Sequence, residues 1–299
     1  MSHTLAAIEP TTGRKPAVLR SAGETRAQIA AWRRGGDRIA LVPTMGALHD
    51  GHLSLVRLAQ EKADRTIVSI FVNPTQFAPS EDFEKYPRTF EADAARLASV
   101  GADAIFAPQA AAIYPEGFST AVTVKGPATA GLEDRFRPDH FGGVATVVAK
   151  LHNIVAPDIA IYGEKDFQQL AVIRQMNRDL DLPVEVLGGA TIRAGDGLAL
   201  SSRNAYLSES ERSIAPLLYR TLCACRDAIA NGEAPEPALE RGRQALAAAG
   251  FKTDYLELRD AQTLAAPALA DRREGRLLVA ARLGATRLID NIAVPAFRN

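Results

Sequence analysis

The chain is poor in cysteine, which excludes several kinds of protein. Its 299 residues include only Cys223 and Cys225, two positions apart in a segment with a helical pattern. That spacing is poorly suited to a disulfide, and two cysteines are too few for a structural zinc site. We therefore expect both to be packing residues of a protein from a reducing compartment.

An excess of one charge and long apolar runs are also missing. Lys plus Arg equals Asp plus Glu at 35 each, so the sequence indicates neither a nucleic-acid-coating surface nor an acidic tail. No apolar run reaches the length of about 18 residues that suggests a membrane-spanning helix, and the N-terminal residues lack the apolar core of an export signal. We expect a cytoplasmic protein whose partners are small molecules.

Apolar runs that suit strands alternate with amphipathic stretches that suit helices over the first part of the chain. This alternation predicts a Rossmann-like α/β fold, a doubly wound parallel sheet with helices on both faces. The predicted strands are 39–43, 66–72, 104–107, 121–124 and 159–162, and the predicted helices are 26–34, 51–63, 90–99, 140–156 and 168–180.

The composition and the pattern of predicted elements change near residue 188. Glycine-rich segments precede an alanine-rich helical part over 208–250, and three runs with strand character follow at 255–259, 276–283 and 286–292. Their sequential order predicts a small antiparallel sheet packed with helices. We expect a Rossmann-like domain at 1–188 and a smaller C-terminal α+β lid domain at 189–299.

Two histidines three residues apart are the most informative local feature. His49 and His52 lie where an apolar run ends and a helical pattern begins near Gly51. In open α/β sheets this is where phosphates bind, because the N–H groups and dipole of the helix start favour an anion. The imidazoles add donors, and Gly46 and Gly51 allow close approach of the backbone. Taken alone, the pair also suits half of a metal site or two exposed polar residues.

Two predicted strand ends carry further polar side chains. The segment 71–77 contains Gln76, whose amide can bind a hydroxyl or a carboxylate. The segment 162–169 contains Lys165, a compact cation suited to phosphate, and Asp166, which can accept a ribose hydroxyl. Ligands bind at the carboxyl edge of such sheets, so we expect these groups to face one ligand.

Two more segments lie outside the predicted strands. Leu200-Ser201-Ser202-Arg203-Asn204 places two hydroxyls and a guanidinium on a loop after Gly195 and Gly197, and such a loop can close over a triphosphate. The segment 137–143 adds Arg137 and His140 just before a helix, where either a ligand contact or a local structural role is open. His152, in the middle of a predicted helix, and Trp32 are interpreted as packing residues.

Five blocks in this order, from about residue 41 to 204, resemble the pantoate–β-alanine ligase (pantothenate synthetase) family. The segments 254–257 and 288–291 resemble its C-terminal part. The family belongs to the nucleotidyltransferase group with a His-x-Gly-His site, here His49-Asp50-Gly51-His52. The second element of that group is matched here by Leu200-Ser201-Ser202-Arg203.

The resemblance implies a ligase of coenzyme A biosynthesis that works in two steps. The carboxylate of (R)-pantoate attacks the α-phosphate of ATP and pyrophosphate leaves. The amine of β-alanine then attacks the pantoyl adenylate, giving pantothenate and AMP. Such chemistry depends on alignment and charge neutralisation, which suits the imidazoles, cations, hydroxyls and glycines found here. The resemblance also implies Mg²⁺ as cofactor and a homodimer.

Roles for individual residues follow from the same resemblance. His52, His49, Lys165 and Arg203 would be catalytic. Gln76 and Gln169 would bind pantoate, with Gln76 also near β-alanine. ATP would contact Met45, Gly46, Ala47, Leu48, His49, Asp50, Gly51, His52, Gly163, Glu164, Lys165, Asp166, Ile192, Leu200, Ser201, Ser202 and Arg203.

The chain departs from the family in two places. Ala92 stands where some relatives carry the first of two adjacent acidic residues, so Asp93 is the remaining candidate to contribute to magnesium binding. Because Mg²⁺ usually keeps several waters, ATP oxygens and water could supply its other ligands. Glu133-Asp134-Arg135-Phe136 replaces a small-residue segment that is common in relatives.

Three other functions compete with this interpretation. A nucleotidyltransferase of the same fold that transfers AMP to a phosphate would need a cationic acceptor pocket in place of Gln76 and Gln169. A redox Rossmann protein would need a Gly-x-Gly-x-x-Gly turn after the first strand, which the sequence does not have. A non-catalytic ATP-binding module would have no use for both histidines together with the loop at 201–203.

Overall fold

The computed structural model describes residues 15–78, 83–267 and 274–295. The strands are β1 Ala17–Leu19, β2 Ile39–Thr44, β3 Arg65–Ile70, β4 Ala104–Phe106, β5 Ile159–Gly163, β6 Glu185–Gly189, β7 Phe251–Asp260, β8 Gly275–Leu283 and β9 Thr286–Val294. The helices are α1 Ala22–Arg34, α2 Asp50–Lys62, α3 Phe90–Ser99, α4 Ala110–Ile113, α5 Glu133–Phe136, α6 His140–Val155, α7 Phe167–Asp179, α8 Glu209–Ile214, α9 Leu217–Ala230 and α10 Pro235–Ala248.

The larger sheet contains six strands in the order β1-β4-β3-β2-β5-β6, and every pairing is parallel. From β2 the chain winds outward through β3 and β4, and β5 then pairs with the other side of β2. The winding therefore changes direction between β2 and β5. Such a switch point opens a crevice at the carboxyl ends of the strands.

The strands of this sheet are apolar on both faces because helices cover both. Ile39 to Val42 in β2 are fully buried. One face packs against α1, α6 and α7, and the other packs against α2 and α3. This two-sided burial is why the strands are continuous apolar runs rather than alternating ones.

The C-terminal part of the described chain builds a second sheet with its own core. Strands β7, β8 and β9 are antiparallel and sequential, and α9 and α10 contribute to the core on one face of this sheet. On β9, Leu288, Asp290 and Ile292 lie on one face of the strand and Arg287, Ile289 and Asn291 lie on the other, as a period of two requires. The second face of this sheet is directed toward the larger sheet and packs against α7.

Most predicted elements are confirmed, with shifted ends. The strand predicted at 121–124 is wrong: this segment joins no sheet, and the N–H of Val122 donates to Thr146 Oγ1 on α6 (2.9 Å). Two strands, β1 and β6, were not predicted. β1 is only three residues long, and β6 ends in Gly188-Gly189, a pair typical of loops. A Cβ at Gly189 would lie 2.2 Å from Leu55 Cδ2, so the glycine allows close packing of α2.

The cysteines have the packing role expected of them, and neither is in a disulfide. Cys225 is buried, and its Sγ donates to the carbonyl oxygen of Ala238 at 3.3 Å. Across residues 15–78, 83–267 and 274–295, no helix has the length and apolar character needed to cross a bilayer.

Candidate active site

A cavity lies at the carboxyl ends of β2 and β5, where the winding of the sheet changes direction. It brings together side chains from segments that are distant in sequence. The sequence-predicted residues among those that line it are Met45, His49, Gly51, His52, Gln76, Gly163, Lys165, Asp166, Gln169, Ile192, Leu200, Ser201, Ser202 and Arg203.

The loop between β2 and α2 has a left-handed backbone that a buried carboxylate holds. Gly46 and Ala47 have φ of +83° and +50°, and the alanine is there despite its Cβ. Asp93, 2% exposed on α3, accepts the N–H groups of Ala47 (2.9 Å) and Leu48 (2.8 Å). Thr89 Oγ1 donates to the same carboxylate. The side chain of Asp93 therefore holds the backbone of this loop without lining the cavity.

The rings of the two histidines contact each other at the start of α2, with centroids 4.1 Å apart and planes tilted by 38°. The backbone N–H of His49 donates to Nδ1 of His52 at 3.3 Å. Because that nitrogen accepts, the neutral His52 ring carries its proton on Nε2. A Cβ at Gly51 would lie 2.9 Å from Cε1 and 3.0 Å from Nδ1 of His49. The glycine between the histidines is therefore needed for the His49 ring.

Both imidazoles are neutral in this site. Burial, together with the charge of Lys165, lowers the pKa of His49 to about 4, although Asp50 and Asp166 oppose the shift. Burial, with His49 and Lys165, lowers the pKa of His52 to about 3. An incoming polyanion would oppose these effects because it favours the protonated rings.

Cations approach the same space from two further segments. Lys165 is on the turn Glu164–Asp166 that follows β5, and its Nζ is 3.8 Å from Asp166 Oδ1. Arg203 follows Ser202, whose hydroxyl donates to the carbonyl oxygen of Ala47 at 3.0 Å. This bond joins the loop at 201–203 directly to the loop that precedes the histidines.

Neighbouring side chains hold both the amide and the backbone carbonyl of Gln76. Its Oε1 accepts from Nδ2 of Asn73 at 3.2 Å, and its Nε2 is 3.1 Å from Met45 Sδ. Its backbone carbonyl accepts from Arg137 (3.2 Å) and from His140 Nδ1 (2.9 Å). Of the two roles left open for Arg137 and His140, these contacts favour the structural one.

An apolar wall of the cavity was missed by sequence reasoning. It consists of Pro43, Leu55, Phe71, Val144, Val147, Val148, Leu151 and Tyr162. The four members from α6 recur at i, i+3, i+4 and i+7, so they form one stripe on that helix. The signal was present in the sequence, since α6 is largely apolar, but the pattern does not say which stripe faces a ligand. Asn73 and Tyr86 also line the cavity and were not among the candidates.

Six predicted residues are not among those that line the cavity: Gly46, Ala47, Leu48, Asp50, Glu164 and Asp93. Asp50 is largely exposed, with its carboxylate 3.7 Å from Arg96. Leu48 packs in the core between the sheet and α2. Glu164 is 3.3 Å from Arg276. Contacts of these residues with ATP or a metal stay predictions.

His152 and Trp32 have the packing roles expected of them. His152 is 3% exposed, and its Nδ1 is 2.9 Å from Asn177 Oδ1. Asn177 uses its Nδ2 to donate to two carbonyls, so its Oδ1 must accept from Nδ1 of His152. Nε2 of His152 then accepts a hydrogen bond from the hydroxyl of Tyr162 (2.9 Å). Burial lowers the pKa of His152 to about 4. Trp32 packs at the margin of the main core.

Comparison with known proteins agrees with this geometry. The model of the Pantoate-beta-alanine ligase family matches residues 17–293. Pantothenate synthetase from Bradyrhizobium sp. is 56% identical over 281 residues, covering 94% of this chain and 99% of the relative. Its counterpart from Caulobacter vibrioides is 55% identical over 282 residues, covering 93% of this chain and 99% of the relative.

Solved structures agree as well. Pantothenate synthetase from Thermus thermophilus superposes with a TM-score of 0.86 at 46% identity, covering 92% of this chain and 98% of that one. Pantoate-beta-alanine ligase from Francisella tularensis, complexed with beta-gamma ATP and beta-alanine, has a TM-score of 0.77 at 33% identity and covers 93% and 97% of the two chains. This chain belongs to the pantoate–β-alanine ligase family.

Proposed function

We propose that this chain condenses (R)-pantoate with β-alanine to pantothenate, using ATP and releasing AMP and pyrophosphate. The observation that carries the proposal is a single cavity in which phosphate-binding groups face an apolar wall with two amides. Family membership and the similarity to known pantothenate synthetases support it. The two halves of the cavity match a polyanion and a branched hydroxy acid respectively.

The first step needs the α-phosphorus of ATP beside the pantoate carboxylate. The N-terminus of α2, with Nε2–H of His52, provides donors for the phosphates, and Lys165 and Arg203 supply positive charge. As the carboxylate oxygen bonds to phosphorus, the bond to the pyrophosphate oxygen breaks and negative charge grows on the leaving group. Donors already aimed at that charge lower the barrier without rearrangement.

The pantoate site combines two kinds of contact. The amides of Gln76 and Gln169 can donate to and accept from its hydroxyls. The valine and leucine stripe of α6 suits the two methyl groups of the acid, because burying them removes apolar surface from water. The same wall disfavours the alternative function, the transfer of AMP to a phosphate acceptor, since a phosphate would lose its hydration there.

The second step uses the same alignment. The β-alanine amine, placed beside Gln76, attacks the acyl carbon of the adenylate, and the bond from that carbon to the AMP oxygen breaks. The amine loses a proton as the amide forms. No covalent enzyme intermediate is required, so the contribution of the protein is to orient the two reactants and exclude water.

A magnesium ion would be carried by ATP in this proposal. Within the described ranges, no three His, Cys, Asp or Glu side chains come together as a metal cage. Asp166 is a carboxylate of the cavity lining with an exposed side chain, which fits an ion that keeps phosphate oxygens and water as its main ligands. The ion would neutralise charge on the phosphates. The contribution of Asp93 would be to hold the loop that binds them.

We also propose two domains, 1–188 and 189–299, and a cytoplasmic homodimer. Separate cores on the two sheets support the division, although 1–14, 79–82, 268–273 and 296–299 lie outside the described residues. The unpaired cysteines suit a reducing compartment. Sedimentation of the purified chain at several concentrations tests the dimer.

Pyrophosphate exchange into ATP tests the proposed function. We expect exchange only when pantoate is present, because the reverse of the first step needs the pantoyl adenylate. His52→Ala should slow exchange by about 100-fold or more, as loss of a positioned donor does. Arg57→Ala, on the exposed side of the same helix, is the matched control. Exchange without pantoate, or with a phosphate acceptor in its place, would overturn the proposal.

A further inference from the structure

Two adjacent residues of β9 join the second sheet to the two segments that carry the active-site cations. Because neighbours on a strand point to opposite faces, Asp290 and Asn291 reach in different directions. Both are buried, at 3% exposure each. Buried polar groups normally have hydrogen-bond partners, and here the partners are Lys165 itself or residues next to segments that line the candidate active site.

Asn291 binds the turn on which Lys165 is placed. Its Nδ2 donates to the carbonyl oxygens of Glu164 (3.0 Å) and Lys165 (2.8 Å). Its Oδ1 accepts from Nε of Arg276 at 2.6 Å, which fixes the orientation of the amide. The guanidinium of Arg276 also reaches Glu164 and lies over the ring of Phe167. The turn is thus held on its backbone and on its side chain from the second sheet.

The start of the turn has no side chain of its own to hold it. Residues 164–166 form a single 3₁₀ turn with no side-chain cap at its start. The position of the Lys165 ammonium depends on this backbone, because its long side chain starts from it. An anchor on the two carbonyls therefore limits where the charge can lie.

Asp290 binds the segment that leads to the loop at 200–203, which carries Arg203. Its carboxylate accepts two hydrogen bonds from Arg193, at 2.6 and 2.9 Å. Arg193 follows Ile192, whose carbonyl accepts the N–H of Leu200 at 2.9 Å. The same strand therefore supports the start of the loop at 200–203. Residues of β9 therefore hold both of the segments that carry the cations.

We propose that Asn291 is a positioning residue for Lys165, so that the second sheet takes part in forming the adenylate. This inference rests on the proposed function. Asn291 touches no reacting atom in it. Its effect passes through the backbone of residues 164 and 165.

Substitution of Asn291 tests the inference. Asn291→Asp keeps the size and the Arg276 contact but has no N–H to donate, so the protein should fold and the turn should lose its anchor. We expect pantoate-dependent exchange to slow by about tenfold or more, with a higher KM for ATP and an unchanged KM for pantoate. Asn291→Ala should give the same pattern. An unchanged rate in both variants overturns the inference.

A double variant separates positioning from a structural role. If Asn291 acts through Lys165, then adding Asn291→Asp to Lys165→Ala should slow pantoate-dependent exchange by less than about threefold beyond Lys165→Ala alone. The effects of coupled residues are not additive. Losses that multiply in the double variant overturn the inference. Lack of exchange in the unmodified protein instead defeats the proposed function.

Two variants on the same face of β9 serve as controls. Ile289→Val should leave exchange within about twofold, since a volume change of one methylene is small. Arg287→Met removes an ion pair with Glu133 (2.7 Å) and loosens the same face without touching the contacts of Asn291 with the turn. If Arg287→Met raises the KM for ATP as Asn291→Asp does, general docking explains the effect and the inference fails.

Discussion

Two histidines that stay neutral in the folded state should make this protein acid-labile at a pH where carboxylates are still ionised. His52 and His152 have folded pKa values of about 3 and 4, below the ordinary value of 6.5. Between those values the unfolded chain binds protons that the folded chain does not. The free energy of unfolding therefore falls as the pH falls below about 6.5.

The magnitude follows from the distance between the pH and the unfolded pKa. At about pH 5, roughly 1.5 units below the ordinary value, each such histidine should remove about 2 kcal/mol of stability. The two together should remove about 4 kcal/mol, and His49 should add less because it is more exposed to solvent. Glu133, whose pKa is lowered by Arg287 and Tyr255 against its burial, contributes its own loss only at lower pH.

Urea unfolding followed by fluorescence of Trp32, the only tryptophan, provides the assay. The urea midpoint should be constant above about pH 7.5 and should decrease steadily toward about pH 5. In His152→Gln, the free energy of unfolding should fall by about 2 kcal/mol less between neutral pH and about pH 5, whatever the substitution does to stability at neutral pH. A midpoint that is flat over this range, or an unchanged decrease in His152→Gln, would refute the reasoning.

Three further predictions follow from the site. Gly51→Ala should displace the His49 ring and slow pyrophosphate exchange about tenfold or more, with stability little changed; an unchanged rate would contradict the packing argument. Asp93→Asn should lower stability by about 1–3 kcal/mol and weaken ATP binding, because an amide leaves one loop N–H facing another donor; titration calorimetry and urea unfolding measure both effects. ATP binding near about pH 5.5 should take up protons because the phosphates raise the pKa of His49 and His52; calorimetry that shows no dependence on buffer ionisation enthalpy would contradict it.

The sequence was sufficient where the structural signal is local. The strands β2, β3, β4 and β5 are apolar runs that need no knowledge of their neighbours, and four of the five strands predicted for residues 1–188 are confirmed. β6 was missed because its glycines, read alone, are typical of a loop. Only the packing of Leu55 against Gly189 explains why a glycine lies at the end of this strand.

What the sequence alone determined is the alternation of elements and the residue types at their ends, because both are set by near neighbours along the chain. His49, His52 and Lys165 could be chosen as candidates on that basis. Only the tertiary structure decided that Asp93 supports a loop, that one stripe of α6 faces the cavity and that Asn291 binds the Lys165 turn. These roles depend on contacts between residues 45 to 127 positions apart, which no local pattern contains.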